Sequence, residues 1–458
     1  MSIFDGNRLP PEAFKLDLER MQSGWYSDKY FDIIVGILQS LAEEDYRFRG
    51  HSPRLAALGI APHDVDIGNI VVEMQWFTRR APFSVVAGVD KALAILEGCT
   101  GFYDEHGTFV NTYHTLEVEA VHDGSIARYD GDPMNVQPVL KVRGRYRDFA
   151  LLETPTLGSL TRGTRIATNV YNVLRAARGK PVLFFPARFD AHEVQAADGY
   201  AYRIAVQRFN LDYHREVGSF VSTDAQGDWW GGLGGGTIAH AAIASFFGDT
   251  TEVMLAFART RPVEIPRVAL VDFENDCVGT SLAVMEAMFS RYRELVDSGQ
   301  EAEAQRYKLF GVRPDTGGSV RDICVTPLGL KKLDMGVTPR LVFALRNAMD
   351  EAWKQWQIPS AWHERARQWC REVKIVVTGG FGPDKIRRFE DLGVPSDIYG
   401  VGSSLFSNCE EESTNNDFTA DVVRVQVHGT WYNMAKVGRT ACDNPDLQPV
   451  SSPATPAT

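Results

Sequence analysis

Two styles of hydrophobic patterning divide the chain near residue 150. Before that point one stretch, "YFDIIVGILQSLAEE" (30–44), repeats apolar residues at helical spacing, and short mixed segments follow: "IVVEMQWF", "TYHTLEVEAV" and "SIARY". One helix with short strands and turns predicts an α+β region. After it come short unbroken apolar runs: "PVLFFPA" (181–187), "GSFVST" (218–223), "RVALVDF" (267–273), "YKLFGV" (307–312), "VKIVVTGG" (373–380) and "SDIYGVGSS" (396–404). A run with no polar alternation suits a strand buried on both faces, as in a parallel sheet. Helical patterns such as "SLAVMEAMFSRYRELVDSG" and "RLVFALRNAMDEAWKQW" separate several of them. Repeated strand–helix units predict an α/β barrel or a doubly wound sheet.

The residues after each run change the picture from architecture to chemistry. Arg188 follows the first run, and Asp272, Glu274 and Asp276 follow or end the third. Arg313 and Asp315 stand in "RPDTGG", and later runs end in Gly379–Gly380 and in Gly400, Gly402, Ser403 and Ser404. Ligands of parallel α/β folds sit at the carboxyl ends of the strands. Arginines, carboxylates and glycine turns gathered there predict an anionic, oxygen-rich ligand. Singly, "RPDTGG" reads equally well as a solvated turn and "TGGFGPDKI" as a plain strand-to-helix connection.

The composition excludes several classes. With 458 residues and 44% hydrophobic content the chain can bury a large core, and two domains are expected. The formal charge of −11 disfavours nucleic acid as a partner. Six scattered cysteines include no C-x-x-C pair, which indicates reduced thiols without a zinc knuckle or disulfide framework. A polar, acidic N-terminus and the lack of a long apolar run predict a cytoplasmic protein with no membrane span.

One segment resists a simple reading. "WWGGLGGGTIAHA" (229–241) places five glycines within six positions ahead of Thr237 and His240. Gly234, Gly236 and Ala239 fit a dinucleotide-binding spacing, but no buried strand precedes them and no P-loop lysine is present. A lone histidine is usually a packed one. Beside Gly236 and Thr237 at a helix start, His240 becomes a candidate general base or phosphoryl acceptor.

Taken in order, "GRYRDFALLETPTLGSL", "GTRIATNV", "FFPARFDAH", "GTIAHA", "RVALVDF", "GVRPDTGG", "VTGGFGPDKI" and "YGVGSSL" resemble the nicotinate phosphoribosyltransferase family, in its archaeal-like branch among the type II phosphoribosyltransferases. The resemblance spans residues 27 to 439. It implies an irregular α/β barrel (151–405) and an N-terminal α+β domain (1–150) completed by C-terminal strands (406–442); beyond them, the Pro-, Ser-, Ala- and Thr-rich composition of 443–458 predicts a disordered tail. The implied reaction joins nicotinate to phosphoribosyl pyrophosphate, with Mg2+ and with ATP as co-substrate hydrolysed through a phosphohistidine.

Carried over residue by residue, His240 is the phosphorylated histidine, with Thr237 beside it. Phe185 and Arg188 stack on and reach toward the pyridine, and Asp198 lies near that ring. Asp272, Arg313 and Asp315 hold ribose hydroxyls, pyrophosphate and magnesium, the metal falling to Asp272 and Asp315. Gly379, Gly380, Gly402 and Ser403 take the 5′-phosphate. Asp28 and Tyr30 match a pair that a partner subunit contributes, implying a homodimer with a shared active site, and Lys436 and Arg439 match basic residues of a C-terminal strand region. No cysteine cluster stands near the C-terminus, so no zinc is carried over, and the run before His240 is richer in glycine and tryptophan than the family pattern. The alternatives are a nicotinamide- or quinolinate-using relative, a non-catalytic sensor of the same fold, or an unrelated barrel enzyme such as an aldolase. An aldolase needs a lysine at a strand end, whereas Lys308 and Lys374 begin their runs.

Overall fold

The computed structural model describes residues 4–450. The N-terminal part is built on β1 (Val71–Thr78), β2 (Glu117–Ala120) and β3 (Leu140–Arg145), with helix α1 (Lys29–Glu43) on the 146–152 turns that follow β3 and α2 (Val89–Cys99) packed against the sheet. β1 is buried along almost its whole length, because strands flank it on both edges and helices cover it. Even Glu73 and Gln75 are buried there: Arg143 donates to Glu73, and Gln75 donates to the Thr440 carbonyl.

Helix α3 (Glu153–Ala176) leads into the second part. Its strands are β4 (Val182–Phe184), β5 (Phe220–Val221), β6 (Arg267–Leu270), β7 (Leu309–Arg313), β8 (Lys374–Val377) and β9 (Ile398–Val401). Each of the six apolar runs holds one of them. Every pairing is parallel, in the order β6-β7-β8-β9-β4-β5. Among the described residues the edge strands β6 and β5 do not pair with each other, so the barrel is a half-barrel. Helices α4 (Gln195–Tyr213), α5 (His240–Ser245), α6 (Cys277–Asp297), α7 (Pro339–Glu351) and α8 (Pro383–Asp391) lie among the connections. One core joins sheet and helices, including Phe184, Tyr202, Val312, Val377 and Tyr399. Fully burying one such side chain stabilises by roughly 1.5–3 kcal/mol, so the strand frame is firmly set beneath its loops.

The chain then returns. β10 (Phe418–Val427) pairs antiparallel with β1, β11 (Thr430–Asn433) extends it, and β12 (Gln448–Pro449) pairs with β2. The N-terminal sheet is completed by C-terminal strands, in the order β11-β10-β1-β3-β2-β12. Residues 443–450 correct the expected tail. Lys141 donates to Asp443, the buried Asn444 donates to the Pro138 carbonyl, and Val450 N–H donates to Val118. The Pro and Ser bias of the segment had outweighed these few polar anchors; residues 451–458 lie outside the described residues. No helix among the described residues is long and apolar enough to cross a membrane.

Candidate active site

The parallel register carries β7 and β8 side by side, so their ends meet. Arg313 closes β7 and Thr378 follows β8. Arg313 Nη1 donates to Thr378 Oγ1 at 3.1 Å, and that hydroxyl donates to Asp315 Oδ1 at 2.7 Å. Arg313 Nη1 also lies 3.4 Å from Asp315 Oδ2. The other guanidinium nitrogen donates to the Ile238 carbonyl at 3.0 Å, which ties the loop before His240 to the strand ends. Arg313 is buried and its Nε has no partner among the described residues, leaving a donor for an anionic ligand. Burial lowers the guanidinium pKa, against the pull of Asp315 and Asp272, and the charge of Arg188 lowers it further.

His240 opens α5, and its Nε2 lies 3.1 and 3.2 Å from the two oxygens of Asp272, just beyond β6. Helix α5 has only six residues, so the Asp272 contact, not a long helix dipole, sets the imidazole environment. Burial raises the Asp272 pKa; the His240 contact lowers it, and the charge of Asp315 adds to the rise. Thr237 sits three residues before His240, its hydroxyl turned back to the Ile238 carbonyl.

Beyond Thr378, Gly379 and Gly380 take φ of 90° and 64°, a left-handed pair that side chains resist. A Cβ on Gly379 would lie 3.4 Å from Asp315 Oδ1, so the turn runs close against the carboxylate. The backbone N–H groups of 379–382 donate no hydrogen bond within the described residues, and neither do those of Ser403 and Ser404. Free amides at successive positions of a turn form an anion cradle. Lys385, in the first turn of α8, donates to the Gly379 carbonyl at 2.9 Å and lies 4.0 Å from the Phe381 ring centroid. Burial lowers its pKa to about 8, with Asp315 pulling the other way.

The first strand end supplies the aromatic. Phe185 N–H donates to Val401, and its ring covers Gly400, where a Cβ would lie 3.2 Å away. Gly402 makes similar room beside Phe189. Arg188 is exposed and lies over the Phe189 ring.

Contacts thus link His240, Asp272, Arg313, Asp315 and Gly379, while Phe185 joins Gly400 and Gly402 on the neighbouring strand end. Asp198, the Asp28–Tyr30 pair, Lys436 and Arg439 stand apart from that network. Asp198, buried on α4, accepts from Arg162 Nε at 2.7 Å and Nη2 at 2.9 Å, and Arg162 also reaches Asp190 at 2.8 Å. Its oxygens are occupied by an arginine that sequence reasoning did not pair with it. Tyr30 is exposed on α1, and its hydroxyl donates to Asp28. Arg439 pairs with Asp421 on β10 at 3.4 Å, and the Lys436 charge also acts on that carboxylate.

Thr378 and Lys385 were missed. Lys385 carried a usable signal, because a cation in the first turn of a helix opposes the dipole and so calls for a separate partner. The glycine run has its own explanation. Trp229 packs edge-on against Phe14 at 4.9 Å, Lys91 stands over its ring, and Lys15 pairs with Asp228 at 2.7 Å. Beyond it Gly235 N–H donates to Val221 of β5, so both ends of the run are held.

No family model and no curated protein matches the sequence. The chain is similar in structure to nicotinate-nucleotide pyrophosphorylase from Pyrococcus furiosus, with TM-score 0.58 and 22% identity over 92% of this chain and 80% of that one. Human nicotinic acid phosphoribosyltransferase aligns at TM-score 0.49 and 18% identity, over 78% of this chain and 71% of that one. At these identities the likeness to the pyrophosphorylase is one of fold: a parallel half-barrel joined to an antiparallel sheet.

Proposed function

We propose that the protein is a pyridine phosphoribosyltransferase, specifically one that forms nicotinate mononucleotide and pyrophosphate from nicotinate and phosphoribosyl pyrophosphate. The observation that carries this reading is the convergence of Arg313, Asp315 and His240–Asp272 beside turns with unbonded backbone amides. The order of sequence motifs supports the nicotinate branch, and the shared fold agrees with the reaction class.

Ribosyl transfer passes through a sugar with oxocarbenium character, so positioning and electrostatics supply most of the rate. The carboxylate of Asp315 stabilises that positive charge and holds ribose hydroxyls. Arg313 offers its buried Nε–H to pyrophosphate oxygens, while the 379–382 and 403–404 amides and the Lys385 ammonium take the 5′-phosphate. Phe185 lays an aromatic face against the pyridine, and Arg188 meets its carboxylate.

Among the described residues no group of three or more His, Cys, Asp or Glu could hold a metal by itself. Magnesium commonly binds through one or two carboxylates and substrate phosphates, so Asp272 and Asp315 fit it. Bound there, it would neutralise the departing pyrophosphate.

His240 accepts the phosphoryl group of ATP in this reading. A carboxylate can only accept a hydrogen bond, so the neutral ring carries its proton on Nε2 and leaves Nδ1 as nucleophile. The protein acts as a homodimer whose Asp28–Tyr30 region completes the partner's site, and it works in the cytoplasm. Phosphoribosyl pyrophosphate supplied with nicotinate, nicotinamide or quinolinate, each with and without ATP, tests the assignment. Nicotinate mononucleotide formed fastest with ATP is the expected result. Preference for another base reassigns the substrate, and no product from any base removes the reading.

A further inference from the structure

A cleft of 1470 Å³ opens between α3, α8 and the 403–414 segment, and none of His240, Asp272, Arg313 or Asp315 lines it. Pockets for small molecules commonly span about 300–1,000 Å³, so this one has room for more than a single phosphate. Six cationic side chains and three carboxylates face it.

The cations are unequally matched. Arg178 pairs with Asp391 and Arg387 with Asp384. Arg80 is only 7% exposed, yet its donors reach two uncharged amide oxygens, Asn416 Oδ1 at 3.2 Å and Asn169 Oδ1 at 2.8 Å. Burial, with nearby Arg165, pulls its pKa down to about 10. A buried cation without a counter-charge is unfavourable, and an anion in the cleft would relieve it. Arg175 and Arg215 are exposed and form no ion pair among the described residues. Opposing them, Glu411 and Glu412 accept from Cys409 and Ser407 within their own loop. The cleft also has an aromatic wall: Tyr213 lies exposed and stacked on Phe209 at 4.7 Å, and Arg175 stands over Phe83.

Guanidinium groups match phosphate oxygens, and an exposed aromatic face takes a flat base. We propose that this cleft is a second ligand site, one that binds a nucleoside polyphosphate through Arg80, Arg175 and Arg215 with its base against Tyr213. Gly380, Gly382, Lys385, Ser403 and Ser404, which take the 5′-phosphate in the reading above, also line one end of the cleft, away from Arg175 and Arg215, while neighbouring Gly379 abuts Asp315. One turn thus forms a wall of both spaces, and an occupied cleft bears on the strand-end site.

The test is calorimetric binding of a non-hydrolysable ATP analogue and of inorganic pyrophosphate. It compares the wild-type chain with the Arg175→Ala/Arg215→Ala double variant and with Asp272→Asn. Both arginines are exposed, and thermal melting checks that the double variant is folded. The site predicts a class of analogue binding, additional to any at His240, that weakens at least tenfold in the double variant, survives in Asp272→Asn, and exceeds pyrophosphate binding in strength. Turnover without added nucleotide stays unchanged in the double variant. Equal analogue binding by wild type and double variant overturns the site, as does loss confined to Asp272→Asn. Pyrophosphate binding as tight as the analogue overturns the nucleotide. Failure on these counts leaves the strand-end reading standing, because the assay of pyridine turnover is separate.

Discussion

Asp272 fixes which nitrogen of His240 is free, and that choice has a readable consequence. Incubation with ATP should give a phosphohistidine at Nδ1, seen by phosphorus NMR and absent from His240→Asn. That variant should keep basal transfer while losing ATP stimulation; undiminished stimulation would remove His240 from the coupling. Arg313 has a heavier duty, since it joins Ile238, Thr378 and Asp315. Lysine cannot span three such partners, so Arg313→Lys should lower kcat/KM by about 10²–10³, the usual scale for losing a preorganised charge. Lys385 brings a pH dependence. Its pKa of about 8 lies below the ordinary lysine value, so the free enzyme loses this positive charge as pH rises through 8. The KM for phosphoribosyl pyrophosphate should therefore climb above pH 8. A bound phosphate restores the proton, so kcat should change less, and Lys385→Met should flatten the KM profile.

At the scale of elements, the glycine run at 231–236 is a tether with two fixed ends. Trp229 anchors one end to Phe14 and Lys91, and Gly235 bonds to β5 at the other. Trp229→Ala should free the segment, raising amide exchange and proteolytic cleavage at 231–239 and slowing phosphorylation of His240 by about tenfold. Unchanged exchange would show that the anchor is idle. The Trp229 anchor was hidden in the sequence, because Phe14 and Lys91 lie more than 100 positions away and aromatic pairs leave no local pattern. The six parallel strands were legible for the opposite reason: burial on both faces writes an unbroken apolar run into each. Their ends were legible too, since ligand chemistry collects there. Asp198 shows the limit. A buried aspartate on α4 looks the same in sequence whether it faces a ligand or, as here, Arg162.

Over the whole molecule, the C-terminal strands tie the half-barrel back to the N-terminal sheet, and one half-buried carboxyl lies at that junction. Glu153 opens α3, and its pKa is raised to about 8 by burial, with Asp421 of β10 and Asp28 adding to the rise. Folding therefore favours its protonated form. This contribution is complete below the unfolded value near 4.5 and is lost as pH rises through about 8. Glu153→Gln, which stays neutral, should match wild type in thermal melting near pH 4. Its relative stability should grow toward pH 9 by on the order of 1 kcal/mol after solvent screening. A constant difference across that range would contradict the linkage.

The central claim is that the strand-end constellation transfers a phosphoribosyl group to a pyridine carboxylate. Release of pyrophosphate from phosphoribosyl pyrophosphate, followed with and without nicotinate in wild type and in Asp315→Asn, tests it most directly. The account predicts release that depends on nicotinate, matches nicotinate mononucleotide mole for mole, and falls at least a hundredfold in the variant. Release independent of nicotinate, or equal in wild type and variant, would contradict it.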